Sequence, residues 1–156
     1  VVSGILAIDP GTRFAWAFGV WPGPPVVGMV NLNDVGTDRG RRYWHLGRYL
    51  RGLIHEYQPA EICYEDVHRH AGVDAAHIYG GLIAVILLEA HAANVPSRGI
   101  GVGTAKKAAV PDILSREARA RIARKKGAEI PPVNTKVAVL QAVRARFPGL
   151  DVPSFD

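Results

Sequence analysis

The sequence predicts an α/β fold, a mixed five-stranded sheet flanked by helices, built as one domain over residues 1–156. Three observations predict it. Three strand patterns come first, in close succession. Helical and strand patterns then alternate. A single helix-length run, residues 75–95, is apolar on almost every side, which suits a central, buried helix. With 48% hydrophobic residues the chain has the material for such a core.

Taken in order, residues 3–9 read as a buried strand that carries a carboxylate, Asp9, to its end. Pro10, Gly11 and Thr12 break it. Residues 14–20 alternate Phe14, Trp16, Phe18 and Val20 with small residues, a second strand. "VWPGPP" (20–25) is a turn and "VVGMVNL" (26–32) a third strand, which completes an antiparallel meander. Thr37 or Asp38 caps a helix running to Tyr57, with Tyr43, Leu46, Leu50, Leu53, Ile54 and Tyr57 at helical spacing. "EICYED" (61–66) is a short strand ending in two acids, Glu65 and Asp66. The apolar helix follows, then a fifth strand over 98–103. Asp112 caps a basic helix to Lys126, stopped at Gly127, and Asn134 or Thr135 caps a last helix to about Phe147. This is the element order of the ribonuclease H-like fold. In that sheet the first and fourth strands lie side by side and parallel, so Asp9 and Glu65 are expected to meet.

Charge and composition narrow the function. Residues 1–95 hold 7 Lys/Arg against 9 Asp/Glu, and residues 96–156 hold 12 against 5. A basic half joined to a half with an acidic site suggests a polyanion partner. The alternative is an ordinary basic surface. No run of about 18 apolar residues is free of charge or breakers, so no membrane span is expected. No signal-peptide pattern opens the chain. The single cysteine, Cys63, has no internal disulfide partner, which fits a reducing, cytoplasmic setting. The first residue is Val, which reads as a trimmed amino end.

Two carboxylates at adjacent strand ends repel unless a cation sits between them. Hard oxygen ligands favour Mg²⁺, with Mn²⁺ able to substitute, and a two-ion site suits phosphodiester cleavage. The competing assignment makes Asp9 a turn cap and Glu65 a rim acid. A third uses the "DPGT" turn to hold a nucleotide phosphate, as in actin-like ATPases. Those need two domains and a second phosphate loop, and this chain is too short for that. Strand alternation places Glu65 and Asp66 on opposite faces without saying which faces the site.

"ILAIDPGT", "CYEDVHRHAGVDAAHIYGG", "GVGTAKK" and "NTKVAVLQAVRARF" resemble successive blocks of RuvC-like Holliday junction resolvases, the phage and prophage form above all. The blocks cover most of the chain apart from 108–133. The resemblance implies a ribonuclease H-like fold and a homodimer. It implies two Mg²⁺-dependent sites that nick a four-way DNA junction symmetrically, leaving 5′-phosphate and 3′-hydroxyl ends. It assigns metal-binding and catalytic roles to Asp9 and Glu65, and to Asp156 as the first acid of a final Asp-x-x-Asp motif. The second acid of that motif would fall beyond the last residue, so the natural chain is expected to continue.

The same resemblance places Lys107 and Lys136 near the scissile phosphate, with Lys106 beside them as a phosphate contact. An ordinary solvated role is the alternative for each. Residues 108–133 depart from the family as a basic helical insertion. Leu114, Ala118 and Ile122 are expected to dock it, which leaves Arg116, Arg119, Arg121, Arg124, Lys125 and Lys126 for DNA. His68 falls where relatives carry a wedge aromatic, and Arg69 and His70 join it as candidate DNA contacts. His77 reads as a packing histidine. The expected activity is junction resolution. The alternatives are a branched-DNA debranching nuclease, an RNA-processing nuclease of related fold, or a junction-binding protein that does not cut.

Overall fold

The structure, a computed structural model, describes residues 4–68, 70, 72–128 and 134–150. Two compact units divide it near residue 100, and each is described separately.

The first unit carries the sheet. Strands β1 (Ile5–Asp9), β2 (Arg13–Gly19) and β3 (Val26–Asn31) form the meander. A 3₁₀ turn (Leu32–Val35) leads into helix α1 (Arg39–Tyr57). Strand β4 (Glu61–Asp66), helix α2 (Val73–Ala92) and strand β5 (Ser97–Gly101) complete the unit. The sheet order is β3-β2-β1-β4-β5, with β1 and β2 antiparallel and β1 and β4 parallel, as expected from the sequence.

One face of the sheet makes the core. Leu6, Ile8, Phe14, Trp16 and Ile62 pack against Leu46, Leu50, Leu53 and Ile54 of α1 and Leu82, Ile86 and Ala90 of α2. Asp38 starts α1 by accepting the N–H of Arg41 at 2.6 Å. The alternating aromatics of β2 seat the helix. Phe14 meets Tyr49 edge-on, Phe18 stacks on Tyr57 at 4.8 Å, and the Trp16 indole N–H donates to the Tyr49 hydroxyl at 2.8 Å. Gly81 of α2 lies under the Tyr43 ring, where a Cβ would overlap it. α2 is long and apolar enough to cross a membrane. It buries only Leu82, Ile86 and Ala90 in the shared core, while Val73, Leu87 and Leu88 are exposed, so the central helix expected to be buried on all sides is instead buried along one side.

The second unit is helical: α3 (Val102–Ala109), α4 (Ile113–Lys125) and α5 (Thr135–Arg146). Two expectations are corrected in it. The fifth strand ends at Gly101, and residues 102–109 form a helix where strand and loop were expected. The glycines of "GIGVG" mask a helical face, with Val102, Lys106, Ala109 and Val110 half-buried at helical spacing. The expected docking stripe of α4 is also wrong. Ala118 is exposed and Ile122 is 53% exposed, whereas Ala120 is buried, with Glu117 and Ala123 half-buried beside it. On that side Lys106 of α3 reaches Glu117 at 3.5 Å, and Ala120 is small enough to let the helices close. The side chain of Leu114, the third member of the expected stripe, lies outside the described set.

Candidate active site

Pleat parity builds the acidic site. In β1, Leu6 and Ile8 are buried, while Ile5, Ala7 and Asp9 point off the opposite face. Ile8 lies level with Tyr64 of the parallel neighbour, so the next residues along, Asp9 and Glu65, stand side by side on that second face. On the other flank Asp9 pairs with Ala15, and Ala7 with Ala17. These small side chains flank Asp9 on that face, with Arg13 of β2 at the same pleat parity as Ala15. Pro10 is buried, and the turn that follows is pinned by the Leu32 N–H donating to the Thr12 carbonyl at 2.7 Å.

The structure also separates the paired acids of β4. Tyr64 and Asp66 flank Gly99 of β5, so Asp66 lies on the helix-covered face and Glu65 on the face of Asp9. Sequence alternation could not make that choice. It needed a neighbouring strand as reference.

Tyr79 of α2 holds the end of β4. The Tyr79 hydroxyl accepts the N–H of Val67 at 2.9 Å and donates to the Glu65 carbonyl at 2.7 Å. The His70 ring packs against it at 4.6 Å. Burial raises the Tyr79 pKa, and the negative charges of Asp66 and Glu65 push the same way. The hydroxyl therefore keeps its proton and its bond to Glu65. Tyr79 falls on the second turn of α2, near enough to reach back to the strand that precedes the helix. That reach across a loop was the only signal in the sequence.

His68 is exposed and lies 3.6 Å from Asp66. His70 is half-buried, its ring set against Tyr79. His77 is exposed, contrary to its expected packing role, and lends its carbonyl to the Tyr43 hydroxyl at 3.4 Å. Arg69 and Asp156 lie outside the described residues. In the second unit, Lys107 is exposed on α3 beside the ion-paired Lys106. Arg116 sits 4.0 Å from Asp112, and Arg119, Arg121, Arg124, Lys125 and Lys126 are exposed along α4 and its cap. Lys136 lies in the first turn of α5, with its side chain outside the described set. Among the described residues no group of three or more His, Cys, Asp or Glu is placed to hold a metal, so Asp9 and Glu65 stand as a pair.

No protein-family model matches the chain, and no curated protein matches it. Solved structures do. The fold is the ribonuclease H-like fold of RuvC-type Holliday junction resolvases. RuvC of Thermus thermophilus, solved with a Holliday junction substrate, superposes with a TM-score of 0.62 at 15% identity, covering 93% of this chain and 94% of that one. A second Thermus thermophilus RuvC structure gives 0.61 at 18% identity, over 92% and 94%. The yeast mitochondrial Holliday junction resolvase gives 0.52 at 14%, over 93% and 77%.

Proposed function

We propose that the chain is a divalent-metal-dependent, structure-selective DNA endonuclease that resolves four-way junctions by paired nicks. The observation that carries this is the juxtaposition of Asp9 and Glu65 on parallel strands. It occurs in a fold shared with a RuvC that was solved on a Holliday junction. The donor set fits a hard cation: two carboxylates at adjacent strand ends, with Ala7 and Ala15 beside Asp9 and Cys63 one pleat back from Glu65 on the same face. Asp9 and Glu65 would hold Mg²⁺ or Mn²⁺, joined by Asp156 as the resemblance implies. Such a cation supplies Lewis-acid polarisation of the phosphate and a lowered pKa for bound water.

The chain's own groups do the rest. Tyr79 fixes the backbone that carries Glu65. His68 stands exposed just past the end of β4, near Asp66, available to stack on an unpaired base. Lys107 and Lys136 offset charge at the phosphate being cut. Arg116, Arg119, Arg124, Lys125 and Lys126 hold junction arms, which makes binding salt-dependent. Lys106 contributes less, because Glu117 already neutralises it.

The active form is a homodimer, and α2 supports this reading. Val73, His77, Gly80, Ala84, Leu87 and His91 are all exposed and recur at spacings of four and three, with Leu88 alongside at 66% exposure. Gly80 has open space where a Cβ would stand, which lets a second backbone approach. Phage origin and a cytoplasmic setting complete the reading.

The test is cleavage of a labelled four-way junction beside a flap and a linear duplex, with Mg²⁺, with Mn²⁺ and with EDTA, using the full natural chain. Symmetric, metal-dependent nicks confined to the junction support the reading. Equal cutting of flaps makes the chain a general debranching nuclease. Binding without cutting makes it a junction-binding protein.

A further inference from the structure

The half-chain charge count conceals a basic helix. Five of the seven cationic residues before position 96 lie on α1, and from Arg39 to His55 that helix contains no acid at all. The Asp38 cap is the one acid at its N-terminal end, and the first turn itself sets three cations, Arg39, Arg41 and Arg42, where the macrodipole disfavours them. Arginines at three-residue spacing, Arg39 with Arg42 and Arg48 with Arg51, repel each other. Folding alone does not reward this pattern.

Three of the five arginines are satisfied within the fold. Arg39 pairs with Asp74 at 3.2 Å and Arg51 with Glu89 at 2.7 Å, and Arg42 donates to the Gly36 carbonyl at 2.8 Å. Arg41 and Arg48 face no carboxylate among the described residues. Between them stands Trp44, 62% exposed, with the Arg48 guanidinium 5.0 Å from its ring centroid. Arg41, Trp44, Arg48, Gly52 and His55 share one outward strip of the helix, spanning about 20 Å at the α-helical rise. The opposite side of α1 packs on the sheet, whose far face carries Asp9 and Glu65.

We propose that this strip is a second nucleic-acid site, distinct from the acidic one, and that it takes single-stranded DNA or RNA. Arg41 and Arg48 meet phosphates, and Trp44 stacks an unpaired base on the ring surface left open. A duplex would offer phosphates but keep its bases from the indole, so the exposed tryptophan selects a single strand. The sheet lies between this strip and the acids, so a strand held on α1 is not the strand at Asp9. The inference goes beyond the nuclease reading and stands without it.

The test is binding of a labelled oligo-dT to the full chain in EDTA across a salt series, with heparin as a polyanion that has no bases. The variants are Arg41→Ala/Arg48→Ala, Trp44→Ala and Trp44→Phe, all on the solvent side of α1 and checked by thermal melt. The arginine pair is expected to lower oligo-dT affinity about tenfold and to flatten the log–log salt slope by about 1.4. Trp44→Ala is expected to lower oligo-dT affinity about tenfold while leaving heparin unchanged, and Trp44→Phe to recover most of the loss. Unchanged oligo-dT binding in all variants overturns the proposal and turns attention to an acidic protein partner. Equal losses for heparin and oligo-dT in Trp44→Ala overturn the stacking role. Junction cutting by the wild type is read in parallel. If it is absent while the α1 variants still lose oligo-dT, only the nuclease reading fails.

Discussion

Replacing Tyr79 by Phe removes a single oxygen and leaves the ring in place, so it opens no cavity. That oxygen makes two hydrogen bonds, 2.9 Å from the Val67 N–H and 2.7 Å to the Glu65 carbonyl. Each is worth about 0.5–1.5 kcal/mol net, and water at the half-buried strand end recovers part of the sum. The expected loss is about 1–2 kcal/mol, read as a lower urea midpoint at unchanged m. Glu65 also loses the group that fixes its backbone. We therefore expect a roughly tenfold lower junction-cutting rate at saturating substrate, with junction affinity unchanged. The pH dependence follows from the sign of the shift. The folded-state pKa lies above the ordinary tyrosine value, with burial the main cause. The contribution is thus fully present below about pH 10 and fades only as pH rises through the higher folded value. A Tyr79→Phe protein with wild-type midpoint and wild-type rate would refute the reasoning.

Other expectations are simpler. Leu50 is fully buried between sheet and helices, and Leu50→Ala should cost about 3 kcal/mol in urea unfolding; a loss near zero would place it outside the core. Burial, followed by the nearby Glu61 charge, raises the Cys63 thiol, so alkylation of the native chain at pH 8 should be slower than that of a free thiol and should accelerate only above pH 9. Equal rates would contradict that. Leu88→Asp on the outward side of α2 should convert a dimer to a monomer in sedimentation with little change in melting temperature. A monomeric wild type at micromolar concentration would remove α2 as the dimer face.

Much of this fold was legible in the sequence because its signals are local. The alternation of Phe14, Trp16 and Phe18 is a strand signature, and Asp38 and Asn134 are caps whose side chains do accept the expected backbone N–H groups. The parallel pairing of β1 and β4 followed from element order. The misses have non-local causes. The face of α4 toward α3 carries Ala120 and Glu117 rather than the most apolar stripe, a pairing set by the neighbouring helix and not visible in the helix's own sequence. Helix α3 hid behind glycines. The division of labour in Gly80–Gly81 needed the position of Tyr43, which fills the space beside one glycine and leaves the other open. In the site, Asp9 was readable from its place at a strand end. Alternation alone could not choose between Glu65 and Asp66; the resemblance named Glu65, and Gly99 shows the face on which each lies, whereas Tyr79 needed the loop that brings α2 back to β4. The basic face of α1 was lost to averaging, because eight acids elsewhere between residues 1 and 95 offset it in the count.

The central claim is that Asp9 and Glu65 form a site for metal-dependent cutting of a junction that other residues bind. The most direct measurement separates those two acts. Junction binding in EDTA and junction cutting in Mg²⁺ should be measured for the full natural chain and for Asp9→Asn and Glu65→Gln. The account predicts that both variants bind as tightly as the wild type and cut at least a hundredfold more slowly. Variants that cut at the wild-type rate would contradict it.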